Sequence, residues 1–318
     1  MHRLPVETVT TRLNHAIDPS LHIWGWEITL YLFLGGLVAG LLILTAALEL
    51  TRRQRPTSAA LQWMPLVALG LLSAGMGTLF LDLEFKLHVY RFYLAFRPHS
   101  PMSWGAWILL LVYPAGLLLA LGSLPETTLR RVPLLGRLAL RIAAWSQQNR
   151  SLVLWTTIAV GAGLGVYTGL LLGTLTARIQ WNSAVLGPLF LTSGLSTGAA
   201  FLLLCKLDAV ERALLLRWDL AAILVELLLI AAMLLGFASG GASAQLAGAA
   251  LLGGPWTAAF WSLVVVTGLL VPLAMELLEL RRHLPLVALT PALVLVGGLA
   301  LRAILLAAGQ DSGYRLLP

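Results

Sequence analysis

Length, composition and charge restrict this chain to one broad class of protein. Of its 318 residues, 59% are hydrophobic and 11% are charged, and the formal net charge is +7. This composition excludes a water-soluble domain, and the lack of period-two alternation excludes a membrane β-barrel. The positive charge requires no nucleic acid, because cations at one face of a membrane protein bind anionic lipid.

Eight apolar runs are long enough to cross about 30 Å of hydrocarbon as helices. In chain order they are residues 26–50, 63–83, 104–121, 152–175, 184–204, 220–238, 256–275 and 284–308. The predicted fold is therefore an all-α integral membrane protein with eight transmembrane helices. Residues 1–25 lack the order of charged, apolar and small residues that marks a removable signal peptide.

Lysine and arginine are distributed unevenly among the connections. The loops after the first, third, fifth and seventh runs contain thirteen of them, and the opposite side, with both termini, contains seven. Since the basic side of a membrane protein faces the cytoplasm, we predict that both termini lie outside it. In the 122–150 loop, Arg130, Arg137 and Arg141 would share one face of a short interfacial helix.

Ionisable residues in or beside the apolar runs fall into two predicted layers. The outer layer contains Glu27, Asp82, Glu84 and Arg302, and the inner layer contains Glu49, Asp208, Asp219, Glu226, Glu276 and Glu279. Charged residues in hydrocarbon are costly and indicate function, so proton transfer is predicted for Glu27, Asp82, Glu84 and Glu226. The alternative is that acids at helix ends pair with loop arginines. Glu226 has no cation close in sequence, and its alternative is a structural carboxyl.

Metal-ligating residues are few and badly placed. The chain has one cysteine, Cys205, and its six histidines all lie in termini or loops. Iron–sulfur clusters need several cysteines, and a membrane-embedded haem needs axial ligands inside the helices. The chain is therefore predicted to hold no haem, no iron–sulfur cluster and no other metal.

The fourth run combines small residues with one phenol. Gly161, Gly165 and Gly169 are four residues apart, which lets another helix approach closely. Tyr167 lies on a different face, one turn after Gly163, where a flat ring has room. Such a phenol suits a hydrogen bond to a quinone carbonyl, and the alternative is an interfacial anchoring tyrosine.

Three patches resemble one known family. IWGWEITLYLFLGGLVAG (23–40), SPMSWGAWILL (100–110) and VYTGLLLG (166–173) resemble the first helix, the start of the third helix and the fourth helix of the NrfD/PsrC family. The resemblance implies two four-helix bundles, a quinone site near the outer face and electron exchange with an iron–sulfur subunit. By position it implies His22 and Tyr167 as quinone ligands, with Trp26 beside them.

The loop before the third run has a separate prediction. Residues 84–103 are basic although they lie on the outer side, where cations are scarce. Arg91, Arg97 and His99 are predicted to dock the partner, while Trp104 and Trp107 seat the third helix at the interface. The alternative is an aromatic belt with arginines on lipid phosphates.

These observations together predict a haem-free membrane anchor in the bacterial inner membrane, with its functional face toward the periplasm. It would exchange electrons between menaquinone or ubiquinone and a four-cluster ferredoxin-like subunit, which serves a molybdopterin or multihaem catalytic subunit. The expected division is 1–25 periplasmic, 26–175 quinone-site bundle, 176–308 second bundle and 309–318 tail. The alternative from another class is a transporter or channel without a redox role.

Overall fold

The computed structural model describes residues 24–51, 58–83, 85–94, 96–97, 99–130, 136–175, 178–282 and 288–312. Over these residues the chain is helical and contains no strand. Eight of its helical segments are long and apolar enough to cross a membrane. The predicted all-α class and the eight predicted spans are thus confirmed over the described part of the chain.

The helices follow one another with short connections. They are α1 Trp26–Thr51, α2 Ala59–Asp82, a 3₁₀ turn Lys86–His88, α3 Arg91–Leu94, α4 Pro101–Ser123, α5 Glu126–Leu129, α6 Gly136–Gln148, α7 Arg150–Gly173, α8 Leu186–Leu203, α9 Ala209–Ser239, α10 Ala242–Leu252, α11 Thr257–Ala259, a π-helix Phe260–Leu270, α12 Val271–Arg282 and α13 Leu289–Asp311. The spans are α1, α2, α4, α7, α8, α9, the continuous segment from α11 through α12, and α13.

One span starts well before its predicted position. The sixth span, predicted over residues 220–238, is the helix α9 that begins at Ala209. Asp208 accepts a hydrogen bond from the Glu211 backbone, and the Glu211 side chain accepts one from the Asp208 backbone. This reciprocal cap stabilises a first turn that carries charged residues, which is why hydropathy alone did not include it.

Helix α1 lies at the centre of the packing. It packs against α2, α7, α8 and α13, while α4 packs against α2 and α7. Helix α8 packs in turn against α9 and α13, and α13 packs against the π-helix. The division into two four-helix bundles, the proposed domain boundaries and the periplasmic position of the termini stay predictions.

Glycines allow the central helices to approach closely. The backbone of Gly40 on α1 packs directly on Gly194 and Gly198 of α8. A Cβ atom added at Gly165 would lie 2.6 Å from Cδ1 of Leu191, and one at Gly169 would overlap the backbone of α8. The predicted close approach along the glycine face of the fourth span is therefore confirmed.

Ion pairs hold two sets of helix ends together. Glu49 at the end of α1 pairs with Arg150 at the start of α7. Arg212 near the start of α9 pairs with Glu279 of α12, with an N–O distance of 2.7 Å. The prediction that acids at helix ends pair with arginines is confirmed for these two carboxylates.

The helix expected in the 122–150 loop is α6. Ala139, Ala143 and Ser146 face the protein, and the Ser146 hydroxyl donates a hydrogen bond to the Leu118 carbonyl of α4 at 2.8 Å. Arg137 and Arg141 are exposed on the same helix. Arg130 lies instead at the end of α5, where it pairs with Glu126. Contact with anionic lipid stays a prediction.

Candidate functional site

A cavity of about 110 Å³ lies among the first four spans. Its lining includes Tyr31 of α1, Met76 of α2, Tyr93 of α3, Gly105 of α4 and Tyr167 of α7. A protein cavity of roughly 150 Å³ is large enough to bind benzene. The cavity is therefore in the size range of a single flat ring, and most of its wall is apolar.

Tyr167 projects from α7 into this cavity and is 7% exposed. A Cβ atom added at Gly105, on the facing helix α4, would overlap both the ring and the hydroxyl of Tyr167. The space around Tyr167 thus depends on Gly105. The prediction that Gly163 provides this room is wrong, because a Cβ atom at Gly163 would have no neighbour within 4 Å.

Two further tyrosines lie with Tyr167 at the cavity. Tyr31 is 4% exposed, and Tyr93 and Tyr167 are both close enough to interact with it electrostatically. No hydrogen bond joins the hydroxyl of Tyr31 or Tyr167 to a residue that the structure describes. Buried hydroxyls normally have a partner, so these two are available to a bound molecule.

Tyr93 lies outside the membrane spans and keeps its proton. Burial, with Tyr113 nearby, raises the pKa of Tyr93 above its ordinary value. Its phenol is therefore neutral around pH 7 and can donate a hydrogen bond.

Tyr31 and Tyr93 were not among the site residues predicted from the sequence. Tyr31 stood within the YLFLGG part of the first patch, so the patch itself was the available signal. Tyr93 lies in the loop that was interpreted only as a docking surface. Neither helix period nor spacing could show that both face Tyr167.

The other predicted quinone ligands have different positions. His22 lies outside the described residues. Trp26 is 60% exposed in the first turn of α1 and is not among the residues that line the cavity. Trp24 is the buried partner of the motif: its ring stacks on Trp181 with centroids 5.4 Å apart, and its backbone bonds the Gln310 side chain.

Two predicted proton-transfer residues lie close to the cavity. Glu27 in the first turn of α1 and Asp82 at the end of α2 are near enough to interact electrostatically. Leu83, which follows Asp82, lines the cavity. Glu84 lies outside the described residues.

A loop segment borders the same cavity, and we name it the flanking segment: residues 85–94, 96–97 and 99–104. Arg91, Arg97 and His99 are all exposed on it. Large apolar side chains are exposed between them, including Leu87 at 89% and Leu94 at 78%. Mixed apolar and basic surfaces of this kind mark interaction sites. The predicted docking residues are therefore brought together beside the cavity.

A second polar group lies among α1, α8, α9 and α13. The fully buried Arg302 of α13 donates hydrogen bonds to the Gly298 carbonyl at 2.8 Å, the Ser193 hydroxyl at 3.1 Å and the Leu32 carbonyl at 3.2 Å. A Cβ atom at Gly36 would overlap its guanidinium group. This arginine thus occupies space that a glycine leaves open.

Glu226 belongs to the same group. It is 2% exposed, lies beside Ser193 and interacts electrostatically with Arg302. The inference that Glu226 lacks a cation is therefore wrong, because the cation comes from the eighth span. The placement of Arg302 in an outer layer and Glu226 in a separate inner layer is wrong for the same reason.

A larger cavity of about 290 Å³ lies beside α10 and the end of α13. Its polar groups include the Trp256 indole, which donates to Asp311 at 2.9 Å. These two groups already satisfy one another, and none of the predicted site residues lies there. Among the described residues, no group of three or more His, Cys, Asp or Glu could hold a metal.

Comparison with known proteins covers nearly the whole chain. The family model described as "Polysulphide reductase, NrfD" matches residues 14–312. A polysulfide reductase chain of Wolinella succinogenes is 29% identical over 301 residues, which are 91% of this chain and 94% of that protein. Protein NrfD of Escherichia coli is 32% identical over 308 residues, which are 91% of this chain and 95% of that protein. A putative dimethyl sulfoxide reductase membrane subunit of Halobacterium salinarum is 31% identical over 193 residues, covering 58% of this chain and 43% of that protein.

Proposed function

Since this chain belongs to the polysulphide reductase NrfD family, and is therefore a multi-pass membrane subunit of an oxidoreductase complex, we propose that it exchanges electrons between a quinone and an iron–sulfur subunit bound at its periplasmic face. Family membership displaces the alternative of a transporter or channel without a redox role. The two relatives named as reductase subunits support this assignment.

The observation that carries the proposal is the ring-sized cavity with Tyr31 and Tyr167 in its wall. When bound, a quinone supplies the two-electron, two-proton redox chemistry. The protein would donate hydrogen bonds from these two phenols to carbonyl oxygens and exclude water with apolar side chains. Menaquinone and ubiquinone both present such oxygens. His22 and Trp26 are proposed as further ligands on the family resemblance alone.

Protons would be exchanged near the same cavity. Glu27 and Asp82 lie at the helix ends beside it, and with Glu84 they are proposed to pass protons to water. His22 suits the first step because its unperturbed pKa is about 6.5. Glu226 is proposed as part of a route from the cytoplasmic side, and its contact with Arg302 supports a structural role as the second assignment.

The flanking segment is the proposed docking surface. A four-cluster ferredoxin-like subunit with acidic groups would contact Arg91, Arg97 and His99, and it would serve a molybdopterin or multihaem catalytic subunit. Val89, Tyr93 and Met102 of the same segment line the cavity. A partner bound there would therefore lie close to the quinone ring, which suits electron exchange.

Reversing charge on the flanking segment should release the partner. We expect Arg91→Glu with Arg97→Glu to weaken retention of the iron–sulfur subunit at least tenfold, because like charges oppose one another across the contact. A tenfold change corresponds to about 1.4 kcal/mol. The measurement is the salt concentration that strips the subunit from the purified complex.

Arg137→Glu with Arg141→Glu on α6 is the matched control, since it makes the same charge change on a different exposed surface. Retention should stay unchanged in this control. Equal loss in both double variants, or no loss in either, would refute docking at the flanking segment.

The proposed orientation predicts the side of each terminus. A reporter enzyme fused after Leu317 should be active only when it functions in the periplasm, because thirteen loop cations were assigned to the opposite face. A second fusion after Gln148, at the end of α6, should be active only in the cytoplasm. The reverse pattern would place the flanking segment in the cytoplasm and overturn the periplasmic docking face.

A further inference from the structure

Two carboxyl groups on neighbouring helices face each other inside the protein. Asp219 of α9 and Glu276 of α12 are both 0% exposed. They are close enough for their side chains to share a hydrogen bond. The Ser196 hydroxyl of α8 donates to one oxygen of Asp219 at 2.6 Å. The other Asp219 oxygen and both Glu276 oxygens have no hydrogen-bond partner among the described residues.

The nearby cations are already engaged. Arg212 donates two hydrogen bonds to one oxygen of Glu279, at 2.9 and 2.7 Å, and acts on Glu276 without a hydrogen bond. On the other side of Asp219, Glu226 faces Arg302. Two ionised carboxylates in contact inside an apolar bundle would repel each other and lose their hydration. The pair therefore requires one additional positive charge.

We propose that Asp219 and Glu276 form a carboxyl pair that binds one exchangeable proton between them. With one proton, a neutral carboxyl donates to the ionised partner, and an oxygen that lacked a partner gains one. A hard metal ion such as Ca²⁺ takes six to eight oxygen ligands. Two carboxyls and one donating hydroxyl supply too few. The proton is the cation that this site accommodates best.

The pair lies at one end of a buried polar series. Asp219 interacts with Glu226, Glu226 with Arg302, and Arg302 with the carbonyl of Leu32, which adjoins Tyr31 at the ring-sized cavity. Arg212 and Glu279 lie at the opposite end of this series. The bound proton is thus placed between one helix end and the centre of the protein. The inference does not rest on quinone binding.

Infrared spectroscopy of the whole purified complex tests the pair directly. The spectrum should contain a protonated-carboxyl band that shifts in D₂O and disappears in both Glu276→Gln and Asp219→Asn. The amide in each variant can donate to the remaining carboxylate, so that carboxylate stays ionised and the bundle stays packed. Loss of the band in only one variant, or no band in the unaltered protein, would overturn the shared proton.

Dicyclohexylcarbodiimide provides a second readout, because it modifies protonated carboxyls in apolar surroundings. Peptide mass spectrometry should find the adduct on Asp219 or Glu276, increasing as pH falls, and at least tenfold weaker in Glu276→Gln. Glu279 is the internal control and should carry no adduct, since Arg212 keeps it ionised. Protection by NaCl relative to KCl at equal ionic strength would identify a sodium site instead. Neither readout depends on quinone-driven activity, so failure here is distinguishable from failure of the proposed function.

Discussion

Tyr167→Phe should lower quinol-driven reduction by the intact complex about tenfold to a hundredfold. A hydrogen bond contributes roughly 0.5 to 1.5 kcal/mol net, and a buried partner left unsatisfied costs roughly 1 to 3 kcal/mol. At about 1.4 kcal/mol per factor of ten, these values give the expected range. Phenylalanine keeps the ring that packs against Gly105, so the helices should still assemble.

The measurement compares two electron sources in the same preparation. Quinol-driven reduction should fall, whereas reduction by an artificial dye that feeds the external subunits directly should not. Tyr113→Phe is the matched control, because the Tyr113 hydroxyl lies 3.1 Å from that of Ser73 and does not line the cavity. If quinol and dye activities decrease equally, Tyr167 is structural. If neither decreases, the quinone binds elsewhere.

Arg302→Met should cause the largest loss of stability. It removes the fully buried cation beside Glu226 and the hydrogen bonds to Ser193 and Leu32. Removing one partner of a buried ion pair costs about 3 to 5 kcal/mol, because the other charge stays buried without compensation. We expect a marked decrease in the unfolding temperature of the detergent-purified protein and in its membrane content.

A second substitution tests whether Glu226 is the cause. Adding Glu226→Gln to Arg302→Met should recover part of the loss, with a coupling energy of about 0.5 to 3 kcal/mol, because no unpaired carboxylate remains. Arg141→Met on the exposed face of α6 is the control and should change stability by only about 0.5 kcal/mol. Additive losses in the double variant would show that the two residues are not energetically coupled.

The eight spans could be predicted because the thickness of the bilayer fixes the length of an apolar helix. Their ends were harder to place. Asp219 was grouped with the acids expected at helix ends, but α9 begins at Ala209 and places Asp219 about three turns inside the helix. Glu49 and Glu279 do lie near helix ends and do pair with arginines. The capping box at Asp208 made the difference.

The site could be predicted only where one segment was sufficient. Tyr167 was chosen from a phenol and a matched patch within a single helix. Gly105, which makes its space, lies on another helix, as does Arg302 relative to Glu226. Helix periodicity shows which residues share a face, but it does not show which face of a distant helix lies opposite. Those contacts therefore required the three-dimensional structure.

Photolabelling with an azido-substituted quinone tests quinone binding at the Tyr167 cavity most directly. In the intact complex, the label should appear on peptides that contain Tyr31, 102–109 or 167–171, and excess unlabelled quinone should suppress it. Gly105→Val should abolish it, because side-chain atoms there would overlap Tyr167. Specific labelling at the larger cavity beside Trp256, with none on those peptides, would contradict a quinone site at Tyr167.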